Sequence, residues 1–209
     1  MNEADPHNVH RVLVIDDDPT IHEAIRKFLT LGRTSGSKLD DAEQVLFGGS
    51  GGAGQQQRQF EVDSAFQGEE GLAKVYHAIQ EDRPYAMTFL DINMPPGWSG
   101  IEVAPRLWVA DPELQIVICT GNADFSWEEI FVKIGTSDRM FILKKPFDRM
   151  EVLQLAHNLT GRWRASQKNK LRQKHLDQAL PTRAVIAERM SERLHTEILR
   201  LMPDFKKSK

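Results

Sequence analysis

A single cysteine, Cys119, is present among the 209 residues. One cysteine cannot form an intramolecular disulfide framework, and the lack of paired Cys or Cys/His clusters argues against a structural zinc site. No apolar run approaches the roughly 20 residues that span a bilayer. The first ten residues also lack the apolar core of a signal peptide. The sequence therefore predicts a cytoplasmic protein with no membrane segment.

Charge is distributed unevenly along the chain. Residues 1–161 hold 14 Lys and Arg against 25 Asp and Glu, a net charge of −11. Residues 162–209 hold 13 Lys and Arg against 5 Asp and Glu, a net charge of +8. An acidic body followed by a basic tail indicates two units with different partners. We expect a folded domain over 1–161 and a basic helical extension over 162–209.

Short apolar segments alternate with stretches of helical periodicity through the acidic body. This alternation is typical of an α/β fold with a parallel sheet and helices on both faces. An insertion over residues 30–59 contains the run GGSGGAG and too little apolar surface to pack, so we expect a flexible loop there. The five predicted strands begin at Arg11, Phe60, Tyr85, Gln115 and Met140.

Polar side chains stand where four of the predicted strands end. Asp16 and Asp17 follow the first strand, Asp91 ends the third, Thr120 the fourth, and Lys145 follows the fifth. Parallel strands end at one edge of a sheet, so these groups should converge. Clustered carboxylates repel one another unless a hard cation such as Mg²⁺ lies between them, and these groups together could support phosphoryl transfer. Taken singly, the two acids could instead cap a helix, and the hydroxyl could satisfy its own turn.

Four ordered segments carry a family resemblance: VLVIDDDP, FLDINMPPGWSG, VICTGN and ILKKPF. Over residues 9–161 the chain resembles bacterial two-component response-regulator receiver (CheY-like) domains. The resemblance implies a flavodoxin-like, doubly wound, five-stranded parallel sheet in the order 2-1-3-4-5. The MPPGW loop, together with SWEEI, resembles a subgroup found beside sensor kinases and cyclic-dinucleotide enzymes.

The resemblance also implies roles for particular residues. Asp91 would be the phosphoacceptor, and Thr120 and Lys145 would bind phosphoryl oxygens. Lys145 would precede Pro146 through a cis peptide bond. The implied ligands of Mg²⁺ are Asp16, Asp17, Asp91 and the main-chain carbonyl of Asn93.

The implied function is a switch that phosphorylates and dephosphorylates itself, with no separate catalytic output domain. The phosphoryl donor would be a sensor histidine kinase or a phosphotransfer protein. Two departures from the family pattern concern the switch. One extra residue lies between Asp91 and Gly100, and Ile142 occupies the position three before Lys145 where many receivers place an aromatic residue, with Phe141 one position away. We expect His22, His77 and His157 on helix surfaces or faces, and not as ligands.

The tail is predicted to be helical. Residues 165–180 form a polar, basic helix candidate, Pro181 is expected to break it, and residues 182–202 form a second helix. The tail lacks a helix-turn-helix pattern and interleaved aromatics, which disfavours nucleic-acid binding. We expect a linker or a homodimer formed through these helices or through the strand-four and strand-five side. The second helix carries an apolar stripe made by Ile186, Met190, Leu194, Ile198 and Leu201.

Two competing hypotheses remain. Residues 16–20 also satisfy D-x-D-x-T, the nucleophile motif of haloacid-dehalogenase-like Mg²⁺-dependent phosphatases. In that interpretation Asp16 is the nucleophile, Asp18 is the acid/base, and Asp91 has no role. The other hypothesis is a degenerate receiver that acts as an unphosphorylated scaffold. The intact set of acids counts against it.

Overall fold

The computed structural model describes residues 9–30, 59–121, 127–135 and 137–201. The expected insertion loop therefore lies almost entirely outside the described residues. The strands are β1 (Val9–Ile15), β2 (Gln59–Ala65), β3 (Met87–Asp91), β4 (Gln115–Thr120) and β5 (Met140–Lys144). The helices are α1 (Pro19–Thr30), α2 (Gly68–Gln80), α3 (Gly100–Ala110), α4 (Trp127–Ile134) and α5 (Arg149–Leu201).

The five strands form one parallel sheet in the order β2-β1-β3-β4-β5. This order confirms the predicted doubly wound fold, in which ligands bind beyond the carboxyl ends of the strands. The register aligns those ends, because Ile15 of β1 pairs with Leu90 of β3, and Asp91 pairs with Cys119 of β4. Residues that follow the strands are thereby gathered at one edge.

Two apolar cores lie on opposite faces of the sheet. Successive strand residues point to opposite faces, so Val12 and Val14 belong to one core while Leu13 and Ile15 belong to the other. The first core also contains apolar residues of α1 and α5, and the second contains residues of α2, α3 and α4. Burial on both faces explains the apolar runs within the inner strands β1, β3 and β4, whereas the edge strand β2 alternates apolar and polar residues.

The chain divides into two compact units between Arg164 and Ala165. Helix α5 is 53 residues long in all and continues across this division. The expected break at Pro181 is therefore wrong. Proline removes one hydrogen-bond donor from a helix, but its φ is compatible with helical backbone, so the helix can continue through it. None of the helices among the described residues combines the length and hydropathy that crossing a bilayer requires.

Gly100 lets helix α3 begin directly against the end of β3. Its N–H donates to the carbonyl of Ile92 at 2.8 Å, and a Cβ at this position would collide with the carbonyl oxygen of Asp91. Ser99 and Glu102 form a capping box at the same helix end. The close approach of α3 therefore fixes the backbone that carries Asp91.

We predict that Gly100→Ala lowers the free energy of unfolding by roughly 1–3 kcal/mol, because a backbone carbonyl must move to admit the methyl group. Gly97→Ala is the matched control. Its added methyl group would meet the carboxamide end of Gln67, a flexible side chain, so its effect should stay within about 0.5 kcal/mol. Chemical denaturation measures both values. Equal stabilities of the two variants would contradict the prediction.

Candidate functional site

The predicted polar residues meet at the carboxyl edge of the sheet. Asp16 follows β1, Asp91 and Thr120 are the last residues of β3 and β4, and Lys145 follows β5. Asp16, Asp91 and Thr120 are buried, with 1%, 7% and 8% of their surfaces exposed. These residues are far apart along the chain, and the parallel topology brings them to one edge of the sheet.

Lys145 joins two of the acids. Its Nζ atom lies 2.6 Å from Oδ1 of Asp91 and 2.7 Å from Oδ2 of Asp16. The Lys145 side chain is 22% exposed, against 9% for Asp91 and 2% for Asp16. One ammonium group is therefore the shared counter-charge of two largely buried carboxylates, and its removal leaves both buried charges unpaired.

Asp17 completes an acidic cluster with Asp16 and Asp91. One carboxylate oxygen from each residue lies within 4.8 Å of the others, and Asp17 is exposed while the other two are buried. Three converging carboxylate oxygens, with no sulfur or imidazole among them, suit a hard divalent cation. The residues present thus fit a metal ion that keeps part of its water shell on the exposed side.

Both oxygens of Asp91 are engaged. Oδ1 accepts from Lys145, and Oδ2 accepts from the main-chain N–H of Asn93 at 2.9 Å. Asn93 is exposed, and its bond to Asp91 closes a two-residue turn at the end of β3. This contact fixes the rotation of the Asp91 carboxylate.

Thr120 lies at the end of β4 with its hydroxyl donating to the carbonyl of Gly121 at 3.1 Å. Its own carbonyl accepts from the main-chain N–H of Lys145 at 2.8 Å, which links the ends of β4 and β5. The hydroxyl therefore satisfies a local turn.

Asp18 and Cys119 have structural roles. Asp18 accepts hydrogen bonds from the N–H and hydroxyl of Thr20 at 2.8 and 2.7 Å, which caps α1 and lowers the pKa of the Asp18 carboxyl. Lys144 is exposed. Cys119 is buried, and burial raises the pKa of its thiol. The peptide bond between Lys145 and Pro146 is cis, as the resemblance implied.

The position three before Lys145 holds an aliphatic side chain in the structure, as in the sequence. Ile142 packs against the core on the α3 and α4 face, whereas Phe141 packs on the opposite face with the Arg162 guanidinium 5.5 Å from its ring centre. Phe141 therefore points to the other side of β5 and does not substitute for an aromatic residue at position 142.

His22 lies on a helix face, as expected, but it is buried beside the site and bonded to Asp16, so the expectation that it is isolated is wrong. It is 4% exposed, and its Nε2 atom lies 2.8 Å from the main-chain oxygen of Asp16. The sequence held a signal for this burial. His22 is three residues before Ile25 and seven before Leu29, which places all three on one helical stripe.

Opposing effects act on the pKa values of the bridged pair. Burial raises the pKa of Asp91, and the Asp16 charge adds to this, while the bond from Lys145 lowers it; the net direction is upward. For Lys145, burial disfavours the charged form, but hydrogen bonds to Asp16 and Asp91 outweigh burial and raise its pKa. The ammonium is thus fully protonated, and it is what allows Asp91 to ionise.

We predict that Lys145→Met lowers the free energy of unfolding by roughly 3 kcal/mol at neutral pH, because two carboxylates lose their counter-charge. The pKa of Asp91, already raised, should rise further. A raised carboxyl pKa favours the folded state at low pH, so the deficit should shrink as the pH falls through the pKa of Asp91 toward its unfolded value of about 3.9.

Denaturation of wild type and variant at several pH values measures this effect. Adding Asp91→Asn to the Lys145→Met variant serves as the control, because it removes one buried charge and should recover part of the loss at neutral pH. A deficit that does not change with pH, or no recovery in the double variant, would contradict the bridging role.

Several solved structures are similar to this chain in fold. A CheY-like response regulator receiver domain protein from Methanospirillum hungatei JF-1 is 20% identical, with a TM-score of 0.51, covering 76% of this chain and 98% of the other. NtrX from Brucella abortus, solved with ATP, is 18% identical with a TM-score of 0.51, covering 77% and 29%. A two-component transcriptional regulator AraC from Clostridium phytofermentans ISDg is 15% identical with a TM-score of 0.50, covering 77% and 98%. At these identities the likeness shows the fold.

A comparison with curated proteins found no match. The sequence profile of the response regulator receiver domain matches residues 52–157, about half of the chain. The match contains Asp91, Thr120 and Lys145 but begins after β1, so Asp16 and Asp17 enter the site through the fold. With the sheet order, the polar edge and this match together, the chain belongs to the response regulator receiver domain family.

Proposed function

We propose that this chain is the phosphoacceptor of a two-component relay, in which Asp91 receives a phosphoryl group from a phosphohistidine of a sensor kinase or phosphotransfer protein. The observation that carries the proposal is the Lys145 ammonium held 2.6 Å from Asp91 and 2.7 Å from Asp16. This contact favours the ionised form of a buried carboxylate and places a cation where the phosphoryl oxygens would arrive. We assign the relay to the cytoplasm, as the composition predicts.

The chain's own residues suit the transfer. An oxygen of Asp91 attacks the phosphorus atom, the bond from phosphorus to the histidine nitrogen breaks, and its electron pair returns to the imidazole. The Asn93 N–H holds the other oxygen of Asp91, which limits rotation of the nucleophile. Lys145 then exchanges a carboxylate partner for a phosphoryl oxygen, and the Thr120 hydroxyl leaves its turn to bind another. The product is an acyl phosphate on Asp91.

The metal site that we propose is for Mg²⁺, held by Asp16, Asp17, Asp91 and the main-chain carbonyl of Asn93. When bound, the ion would neutralise charge on the phosphoryl oxygens. Asp16 is the most deeply buried of the three acids, with 1% of the residue exposed against 7% for Asp91, and Asp17 is exposed. We therefore assign direct ligation chiefly to Asp17 and Asp91, with Asp16 acting largely through water.

The phosphatase alternative uses the same edge but a different nucleophile. Its acid, Asp16, has Oδ1 bound to the Asp18 N–H at 2.9 Å and Oδ2 bound to Lys145. Both oxygens are thus engaged, and less than 2% of the residue is exposed. Asp91, which the alternative leaves without a role, shares the same ammonium. Both oxygens of Asp91 are engaged as well, so the contacts do not separate the two acids. We favour the phosphoacceptor because Asp16 is the more deeply buried acid, 1% against 7% exposed, and because the receiver-family match contains Asp91 but not Asp16.

We predict that wild-type protein gains the mass of one phosphoryl group when incubated with acetyl phosphate and Mg²⁺, and that Asp91→Asn abolishes the gain. Asp16→Asn is the matched control, since it converts the competing nucleophile to an amide of the same shape. It should slow labelling but leave the phosphoryl group on the peptide that contains Asp91. Intact mass and peptide mapping measure both. Label on the Asp16 peptide, persisting in Asp91→Asn, would establish the phosphatase mechanism.

The second unit supplies a candidate output. Among its described side chains, four apolar residues of α5 are 56–62% exposed: Leu171, Leu176, Met190 and Leu194. A single helix in water has little stability without a packing partner. We propose that this part of α5 pairs with the same segment of a second copy.

The charges within a coiled-coil repeat in this part of α5 favour one relative orientation of the two helices. Leu176, Leu180, Ala187, Met190, Leu194 and Leu201 recur at coiled-coil spacing, and the two remaining positions of the repeat are Arg183 and Glu197. In a parallel pair each of these charges would face its own copy. In an antiparallel pair centred between positions 187 and 190, Arg183 lies one layer from Glu197 of the second copy. Complementary charge therefore indicates an antiparallel homodimer.

We predict that Arg183→Glu and Glu197→Arg each weaken the dimer by about tenfold, because each replaces an attraction with a repulsion. The double variant, which exchanges the two charges, should restore wild-type affinity. Sedimentation equilibrium measures the dissociation constants. In a parallel dimer the exchange restores nothing, so a double variant no tighter than the single ones would contradict the antiparallel pair.

A further inference from the structure

His22 contributes one hydrogen bond to the acidic edge. The ring lies in the first turns of α1, is 4% exposed, and stands 4.5 Å from the ring of Phe66 between centres. Its Nε2 atom is 2.8 Å from the main-chain oxygen of Asp16. A carbonyl oxygen can only accept, so Nε2 carries the proton and donates.

This bond is one of four that hold Asp16. The main-chain N–H of Asp16 donates to the carbonyl of Ala65 at 3.1 Å. Its Oδ1 accepts from the Asp18 N–H at 2.9 Å, and its Oδ2 accepts from Lys145 at 2.7 Å. His22 binds the remaining polar atom, the carbonyl oxygen. The residue is therefore fixed through both its backbone and its side chain.

The orientation of the Asp16 carbonyl also affects the position of the Asp17 side chain. The C=O of Asp16 and the N–H of Asp17 lie in one rigid peptide plane, so a donor that holds the oxygen sets the direction of the Asp17 Cα. Asp17 is exposed, and its carboxylate reaches the other two acids across 4.8 Å or less. Small rotations of this plane would move that carboxylate away from the cluster.

The other ring nitrogen gives no reason for a histidine at this position. Nδ1 is buried and makes no hydrogen bond to any residue that the structure describes. A buried polar atom without a partner costs roughly 1–3 kcal/mol, which an aliphatic side chain of similar size would avoid. The benefit of histidine must therefore come from the Nε2 donor to Asp16.

We propose that His22 is a positioning residue for the metal site, which acts by holding the Asp16–Asp17 peptide plane. This inference rests on the proposed function, since it concerns the ion that assists transfer to Asp91. Mg²⁺ requires nearly ideal octahedral geometry, so a loosened ligand lowers its affinity more than it would for a larger, more tolerant ion. Groups that orient metal ligands typically contribute 10- to 100-fold in affinity.

Substitution of His22 by glutamine or asparagine distinguishes the effect of the Nε2 donor from the effect of ring packing. The amide nitrogen of glutamine can reach the place of Nε2, whereas that of asparagine reaches only the place of Nδ1. We expect His22→Asn and His22→Leu to weaken Mg²⁺ binding by about tenfold, and His22→Gln to retain affinity within about twofold of wild type. Titration calorimetry with MgCl₂ measures binding, and circular dichroism with thermal melts shows which variants are folded.

Labelling by acetyl phosphate at saturating Mg²⁺ distinguishes positioning from direct participation. All folded variants should then label Asp91 at rates within about twofold of wild type, because excess metal compensates for a weakened site. A glutamine variant as weak as the asparagine variant would overturn the inference, and so would unchanged affinity in both. Wild-type protein that binds no Mg²⁺ would overturn the proposed function itself, and is recognised before any variant is compared.

Discussion

The arrangement of this site depends on one interaction, the Lys145 ammonium shared between Asp91 and Asp16. Two carboxylates at this depth could not both remain charged in the same small space without a counter-charge. The ammonium of Lys145 supplies that charge from the end of β5, which is separated from β1 by β3 and β4. It therefore joins the two ends of the polar edge, and it makes the ionisation of Asp91 depend on the position of β5.

In the proposed transfer, the same interaction would give the site its capacity to respond. A lysine bonded to two carboxylates can exchange a partner when a phosphoryl group arrives, and its main-chain N–H is bonded to the Thr120 carbonyl. A movement of the Lys145 side chain would therefore take place next to the hydrogen bond that links the ends of β4 and β5. Ile142 replaces the aromatic residue found in many receivers at a position on the core face of β5. If this chain transmits a signal along that strand, it does so without rotation of an aromatic ring at that position.

The order of the segments explains why the family match is shorter than the fold. The sequence profile begins at residue 52, inside the insertion that separates α1 from β2. β1 and α1 lie before it, yet β1 occupies an inner place in the sheet between β2 and β3. The acids that follow β1 are therefore part of the site for a topological reason. A long insertion between consecutive elements is tolerated because loop closure becomes only slowly more costly with length.

The sequence by itself determined the five strands and the polar residue at the end of each contributing strand. Apolar runs bounded by Asp, Thr and Lys specify buried parallel strands, and parallel strands can end only at a common edge. The tertiary structure decided what the pattern could not express. It showed that the Lys145 ammonium lies between Asp16 and Asp91. It also showed that the His22 ring faces the Asp16 carbonyl and that α5 continues through Pro181. These features depend on distances between elements that are far apart in the chain, and a periodic pattern within one segment carries no information about such distances.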